Sequence, residues 1–238
     1  MDIQLSIPIL PQPDDAACGP TCLHAVLNYY GDDIPLTDVI NETRMLDAGG
    51  TLAVFLACAA LRRGYACTIY TYNLQMFDPT WFSNPDTDIA ERLQCQAEVK
   101  QDKKLQHATD GYLEYLKLGG ELEFRDLNTR LLRNLIKRKL PILTGLSSTY
   151  LYRTMREFGP KDVDDDIRGM PSGHFVILSG YHWEDRTILV ADPSLPNPMA
   201  TSQLYPVNID RVICAILLGV LTYDANLLVI HPRKEKKR

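Results

Sequence analysis

Residues 174–192, HFVILSGYHWEDRTILVAD, constrain the fold more than any other stretch of this chain. Two apolar runs, 174–181 and 187–192, flank the polar turn HWEDR, which is the pattern of a β-hairpin. What precedes it is mostly helical. Residues 19–30 place Leu23, Val26, Leu27 and Tyr30 on one side of a helix that Gly31 stops. Further helices are expected over 36–46 and 51–64, followed by the strand ACTIYTY at 66–72. Residues 3–9 alternate as a strand that ends at Pro11. A helix over 126–139 puts Leu127, Leu131, Leu135 and Ile136 on one face, and Pro141 ends it before the strand ILTGLS. The loop GPKDVDDDIRGMPSG, 159–173, is too rich in Gly, Pro and Asp to be regular. A helix at 208–219 and a strand at 226–231 complete the chain. Helices first and mostly antiparallel strands after them make an α+β pattern.

The 238 residues suit one domain, 1–238, with a charged, weakly amphipathic helical insertion at 82–125 and a basic tail at 232–238. The insertion is expected to be one or two exposed helices. A net charge of −5 argues against a nucleic-acid partner. A membrane span needs roughly 20 apolar residues, and VICAILLGVL is about half of that, so no membrane partner is expected. The start MDIQLSIPIL lacks the positive region of a signal peptide, which points to a cytoplasmic protein. The six cysteines are scattered, with Cys58, Cys67 and Cys214 in apolar settings that predict buried thiols rather than a disulfide framework.

The stretch QPDDAACGPTCLHAVLNYYG, 12–31, carries two cysteines one helical turn apart. Gly19-Pro20 follow Cys18, and proline is favoured in the first turn of a helix, so Cys18 falls at a helix N-terminus. The free N–H groups and dipole there favour a thiolate, whereas Cys22 lies inside the helix. A thiolate catalyst needs a base. His24 stands about 240° around the helix from Cys18. His107 lies in the insertion, His231 near the tail and His182 at the far end of the hairpin. His174 opens a strand after a flexible loop, and Asp192 closes the partner strand at the same end, where it can orient the imidazole. The Gln12 side-chain amide and the Cys18 backbone N–H can serve an oxyanion. Taken singly, Cys18 reads more readily as a buried helix-start residue than as a nucleophile, and His174 as structural; the joint pattern favours a catalytic triad. CGPTC has three residues between its cysteines where the redox motif has two. DVDDD, 162–166, lacks the spacing of a calcium loop and reads as a solvated loop that disfavours anionic substrates.

Together, Q-x5-C-G-P-x-C-L-x-x-V-L-x-Y-Y-G, G-H-F-V-I-L-S-G-Y and V-A-D-P-S resemble the bacteriocin-processing, double-glycine-leader cysteine peptidases and their stand-alone relatives, within the papain-like superfamily. The resemblance spans 10–72 and 126–193. It implies a papain-like α+β fold whose helical part, carrying Cys18, packs on an antiparallel β part carrying His174 and Asp192. It assigns Cys18 as nucleophile, His174 as base, Asp192 as its orienter and Gln12 to the oxyanion hole. The implied reaction is cleavage of an amide bond in a peptide-like substrate through an acyl-enzyme, with no cofactor and no metal. Acyl or peptidyl transfer, and a catalytically silent peptide-binding module, are the alternatives on the same fold; the oligomeric state stays open.

The hairpin adds a geometric condition. Faces alternate along a strand, so a three- or five-residue turn sets Asp192 opposite Val176 and on the face of His174. An odd pairing sum separates them unless a bulge intervenes or Asp192 lies beyond the ladder.

Overall fold

The computed structural model describes residues 2–47 and 49–233. The tail expected at 232–238 lies outside the described residues from Lys234 onward. A short strand β1 (Ile3–Gln4) precedes helices α1 (Cys18–Tyr29), α2 (Leu36–Glu42) and α3 (Ala53–Arg62) and strand β2 (Tyr65–Thr71). Next come α4 (Ile89–Val99), α5 (Lys103–Lys117) and β3 (Glu121–Glu123). The second half runs α6 (Thr129–Lys137), β4 (Ile142–Ser147), α7 (Ser148–Tyr152), β5 (Glu157–Phe158), β6 (Val163–Asp164), β7 (Gly173–His182), β8 (Thr187–Ala191), β9 (Leu204–Asn208), α8 (Ile209–Leu218) and β10 (Asn226–Pro232).

One sheet, in the order β3-β2-β10-β4-β7-β8-β9 with β1 also on β7, organises the molecule. Its pairings are antiparallel except β2 with β3. Helices cover both faces. Phe175, Ile177, Leu228 and Ile230 pack with α1, α3 and α5 on one side. Val176, Leu178, Leu227 and Val229 pack with α6 and α8 on the other. β4 is therefore buried along its whole length, which explains why ILTGLS is nearly all apolar or small. No helix among the described residues is long and apolar enough to cross a membrane.

Several expectations change. The strand over 3–9 shrinks to two residues, and the helix expected to reach 46 ends at Glu42. The loop 159–173 carries β6, whose partner β5 lies just before it. Cys214 is exposed: α8 buries Ile209, Val212, Ala215 and Ile216 as one stripe, and Cys214 falls off it. The 82–125 segment does form two helices, but α5 is not peripheral. Its Leu105, Ala108, Tyr112 and Tyr115 join the core, and the Tyr115 hydroxyl shares its one proton between the Cys67 and Glu121 carbonyls, at 2.9 and 2.7 Å. α4 lies outside it with only Leu93 buried.

The hairpin turn has four residues, 183–186, which by itself would split His174 from Asp192. A bulge restores them to one face. His182 opposes Thr187 and Gly180 opposes Leu189, but beyond the shift Leu178 opposes Val190 and Ile177 opposes Ala191. Continued by one residue, that register sets Asp192 against Val176. The extra residue, Ser179, is held there: its hydroxyl donates to the Leu189 carbonyl at 3.2 Å and its carbonyl accepts from Leu5 N at 2.7 Å.

Candidate active site

Cys18 is the first residue of α1, so its own N–H and that of Gly19 have no intrahelical acceptor, while Pro20 has no N–H and Thr21 N donates to the Ala17 carbonyl at 3.0 Å. The helix begins this close to β7 and α3 because residue 19 is glycine. A Cβ there would lie 2.6 Å from Thr51 Cγ2 and 3.2 Å from both Leu56 and Phe175. The loop ahead of Cys18 is organised by Asp14. Its carboxylate accepts from Ala16 N at 2.9 Å, and its carbonyl accepts from Ala17 N at 3.3 Å and from Gln12 Nε2 at 2.9 Å. Gln12 is also tied by its backbone, donating to the Pro193 carbonyl at 2.9 Å. An amide nitrogen carries two N–H groups, so one remains after the bond to Asp14.

His174 Nε2 lies 2.8 Å from Asp192 Oδ1, which makes Nε2 the donor and leaves Nδ1 as the ring nitrogen open to Cys18, one of the groups that raise the ring's pKa. Asp192 is fully buried, and every direction around its carboxylate is used. Oδ1 also accepts from Ser194 N at 2.9 Å, and Oδ2 accepts from the hydroxyls of Tyr152 and Tyr205 at 2.7 and 2.6 Å. Burial and the Asp192 charge keep both phenols neutral and hence donors. The strand end that bears His174 is pinned to α7 by Ser148 N and Oγ, both donating to the Ser172 carbonyl at 3.0 Å.

The electrostatics follow from these partners. Burial pushes His174 toward its neutral form, but hydrogen bonds to Asp192 and Cys18 and the charges of both override it and lift its pKa to about 10. Burial also works against the Asp192 carboxylate, yet the His174 bond and charge, with Tyr205 and Ser194 N–H, hold it down at about 2. Cys22 differs from Cys18 in kind. It is fully buried, its thiol donates to the Phe175 carbonyl at 3.3 Å, and burial together with the charges of Cys18 and Asp192 pushes it well above the usual thiol range.

Gln12, Tyr152 and His174 line a polar cleft of about 520 Å3. A larger groove of about 750 Å3 shares α7 as a wall but holds none of Cys18, His174, Asp192 or Gln12. His24 is structural, with Nε2 2.9 Å from the Ile34 carbonyl.

The model of the Peptidase_C39 like family matches residues 4–208. The chain belongs to the Peptidase_C39-like family of cysteine peptidases. No curated protein matches the sequence. Among solved structures, a Bacillus anthracis protein described as a C39-like peptidase aligns over 98% of this chain and 100% of its own, at 13% identity and TM-score 0.53. Xylellain, a cysteine protease from Xylella fastidiosa, aligns over 98% of this chain and 86% of its own, at 12% identity and TM-score 0.50. A double glycine motif protease from an AMS/PCAT transporter, solved with its leader peptide, aligns over 97% and 94% at 13% identity, with TM-score 0.45. The C39-like fold is thus the α+β, papain-like one, with the cysteine helix packed on the sheet that carries His174 and Asp192.

Reasoning from sequence missed Tyr152, Tyr205 and Asp14. The two tyrosines sit on α7 and β9, elements without a periodic signal. Asp14, two residues after Gln12 and four before Cys18, had an Asx-turn signal that could have been read.

Proposed function

We propose that this protein hydrolyses an amide bond in a peptide-like substrate, with Cys18 as nucleophile, His174 as general base and acid, and Asp192 as the group that fixes the ring. The observation that supports this reading is the buried, fully hydrogen-bonded Asp192 holding His174 Nε2, which leaves Nδ1 to serve the thiol at the start of α1. With its pKa lifted to about 10, His174 takes the proton of the Cys18 thiol and becomes an imidazolium. The thiolate sulfur attacks the substrate carbonyl carbon, and the C=O π electrons move to oxygen. The Cys18 N–H and the free N–H of Gln12 Nε2 stabilise that oxyanion. Once the sulfur is bonded to carbon, the thiolate charge and its hydrogen bond to the ring are gone. Both had raised the His174 pKa, so the imidazolium becomes a stronger acid and protonates the departing amine. Water then attacks the thioester, giving its proton to His174, and the acid leaves with the sulfur again a thiolate.

Turnover of a peptide pool by the protein and by Cys18→Ala tests the reading. Free carboxylic acid products from the first and none from the second are expected. Gln12→Ala should slow turnover by about 100-fold. Products carrying an added amine would instead establish transfer. No turnover and no acyl-enzyme, with peptide still bound, would establish a silent binding module.

A further inference from the structure

We infer that the cleft selects substrates with Lys or Arg in the few residues flanking the scissile bond. The inference rests on the peptidase reading for the cleavage arm of its test only. Four carboxylates line the same cleft as His174. Asp15 comes from the loop before α1, and Glu157, Asp162 and Asp164 come from the β5–β6 arm opposite. Two separate segments of the chain therefore bring negative charge to the cleft that His174 lines. Among the described residues none of the four is in an ion pair; the Glu157 carboxylate accepts from the Ser172 hydroxyl. Lys161 and the protonated His174 are the cations in the lining, and four carboxylates against two cations leave it acidic.

A single exposed ion pair is worth little. Several like charges around one concave volume focus their field and act together on a charged ligand. The neighbouring groove has the reverse character, with Arg153, Arg156 and Arg211 beside Leu218 and Leu221, so the acidity belongs to the cleft and is not uniform over this side of the molecule.

The test has a binding arm and a cleavage arm. Binding of labelled peptides matched except for Lys, Ala or Glu is measured on Cys18→Ala, and cleavage of the same set on the unaltered protein. Lys peptides should exceed Glu peptides by on the order of 10-fold in both arms at low ionic strength, and the ratio should fall toward 1 near 1 M salt, where the screening length is about 3 Å. Asp162→Asn with Asp164→Asn should reduce the ratio several-fold through KM. Glu184→Gln with Asp185→Asn, the same charge change at the distant hairpin turn, should leave it unchanged. Cleavage or binding without charge preference, or an equal response to both double variants, would overturn the inference. Selective binding with no cleavage by the unaltered protein would overturn the peptidase reading and leave the cleft's selectivity standing.

Discussion

Strand β7 carries a His–Asp pair at each end, and the two pairs behave differently. At the turn end, His182 Nδ1 lies 3.6 Å from Asp2 Oδ2, with side chains 34% and 60% exposed. At the open end, His174 Nε2 lies 2.8 Å from Asp192 Oδ1, with 10% and 0% exposed. The residue types are the same, so identity does not make the difference. At the open end α7, β9 and the turn after β8 all close on the carboxylate, replacing water with two phenols and a backbone N–H. A carboxylate held this way stays charged in a dry setting and can impose position and charge on its histidine. At the turn end only the N-terminal strand arrives, and water screens the pair.

The strongest break in this comparison is Asp192→Asn. It should lower turnover by about 10^3–10^4-fold while keeping the fold, because the ring loses both its orientation and its counter-charge. Asp2→Asn should leave turnover within about twofold; a comparable loss at the two ends would mean that the buried pair has no special role. Tyr205→Phe comes next. A hydrogen bond to a charged group contributes about 1.5–3 kcal/mol, so this variant should melt earlier, lose about 10-fold in rate and shift the acid limb of its pH–rate profile upward. An unmoved acid limb would show that Tyr205 does not help hold Asp192 ionised.

Stability against pH sharpens the contrast further. His174 rises from 6.5 unfolded to about 10 folded, so its contribution is complete below 6.5 and is lost as pH climbs through 10. Asp192 falls from 3.8 to about 2, so its contribution is complete above 3.8 and is lost as pH drops through 2. The Tm advantage of the unaltered protein over His174→Gln should therefore be greatest between pH 4 and 6.5 and shrink toward pH 10. An advantage that grows with pH would contradict this. The smallest expected effect is that of His182→Gln, a few degrees in Tm or less and no measurable change in turnover.

The parts of this site that were legible in sequence are those with a local signal. Cys18 before Gly-Pro marks a helix start, and His174 and Asp192 sit at matching ends of two apolar runs. The register between them was not legible. It depends on Ser179, a residue without any special bulge signature, held by Leu5 from the far end of the chain. Tyr152 and Tyr205 were hidden for a similar reason. α7 has five residues, too few for a helical period, and β9 contains Pro206, which is tolerated because β9 is an edge strand. Composition also misled where it averaged over a helix. The charges of α5 masked its buried stripe, and the apolar run of α8 concealed that Cys214 faces outward.

The central claim is that one thiol of the six is paired with His174, and site-resolved alkylation tests it most directly. Iodoacetamide labelling at pH 6, read peptide by peptide, compares Cys18 with buried Cys22 and with exposed Cys95 and Cys214 as ordinary references. Although it is only 7% exposed, Cys18 should label first, Cys22 should stay unlabelled, and in His174→Ala the labelling of Cys18 should require a higher pH. Labelling of Cys22 ahead of Cys18, or a Cys18 rate indifferent to the loss of His174, would contradict the account.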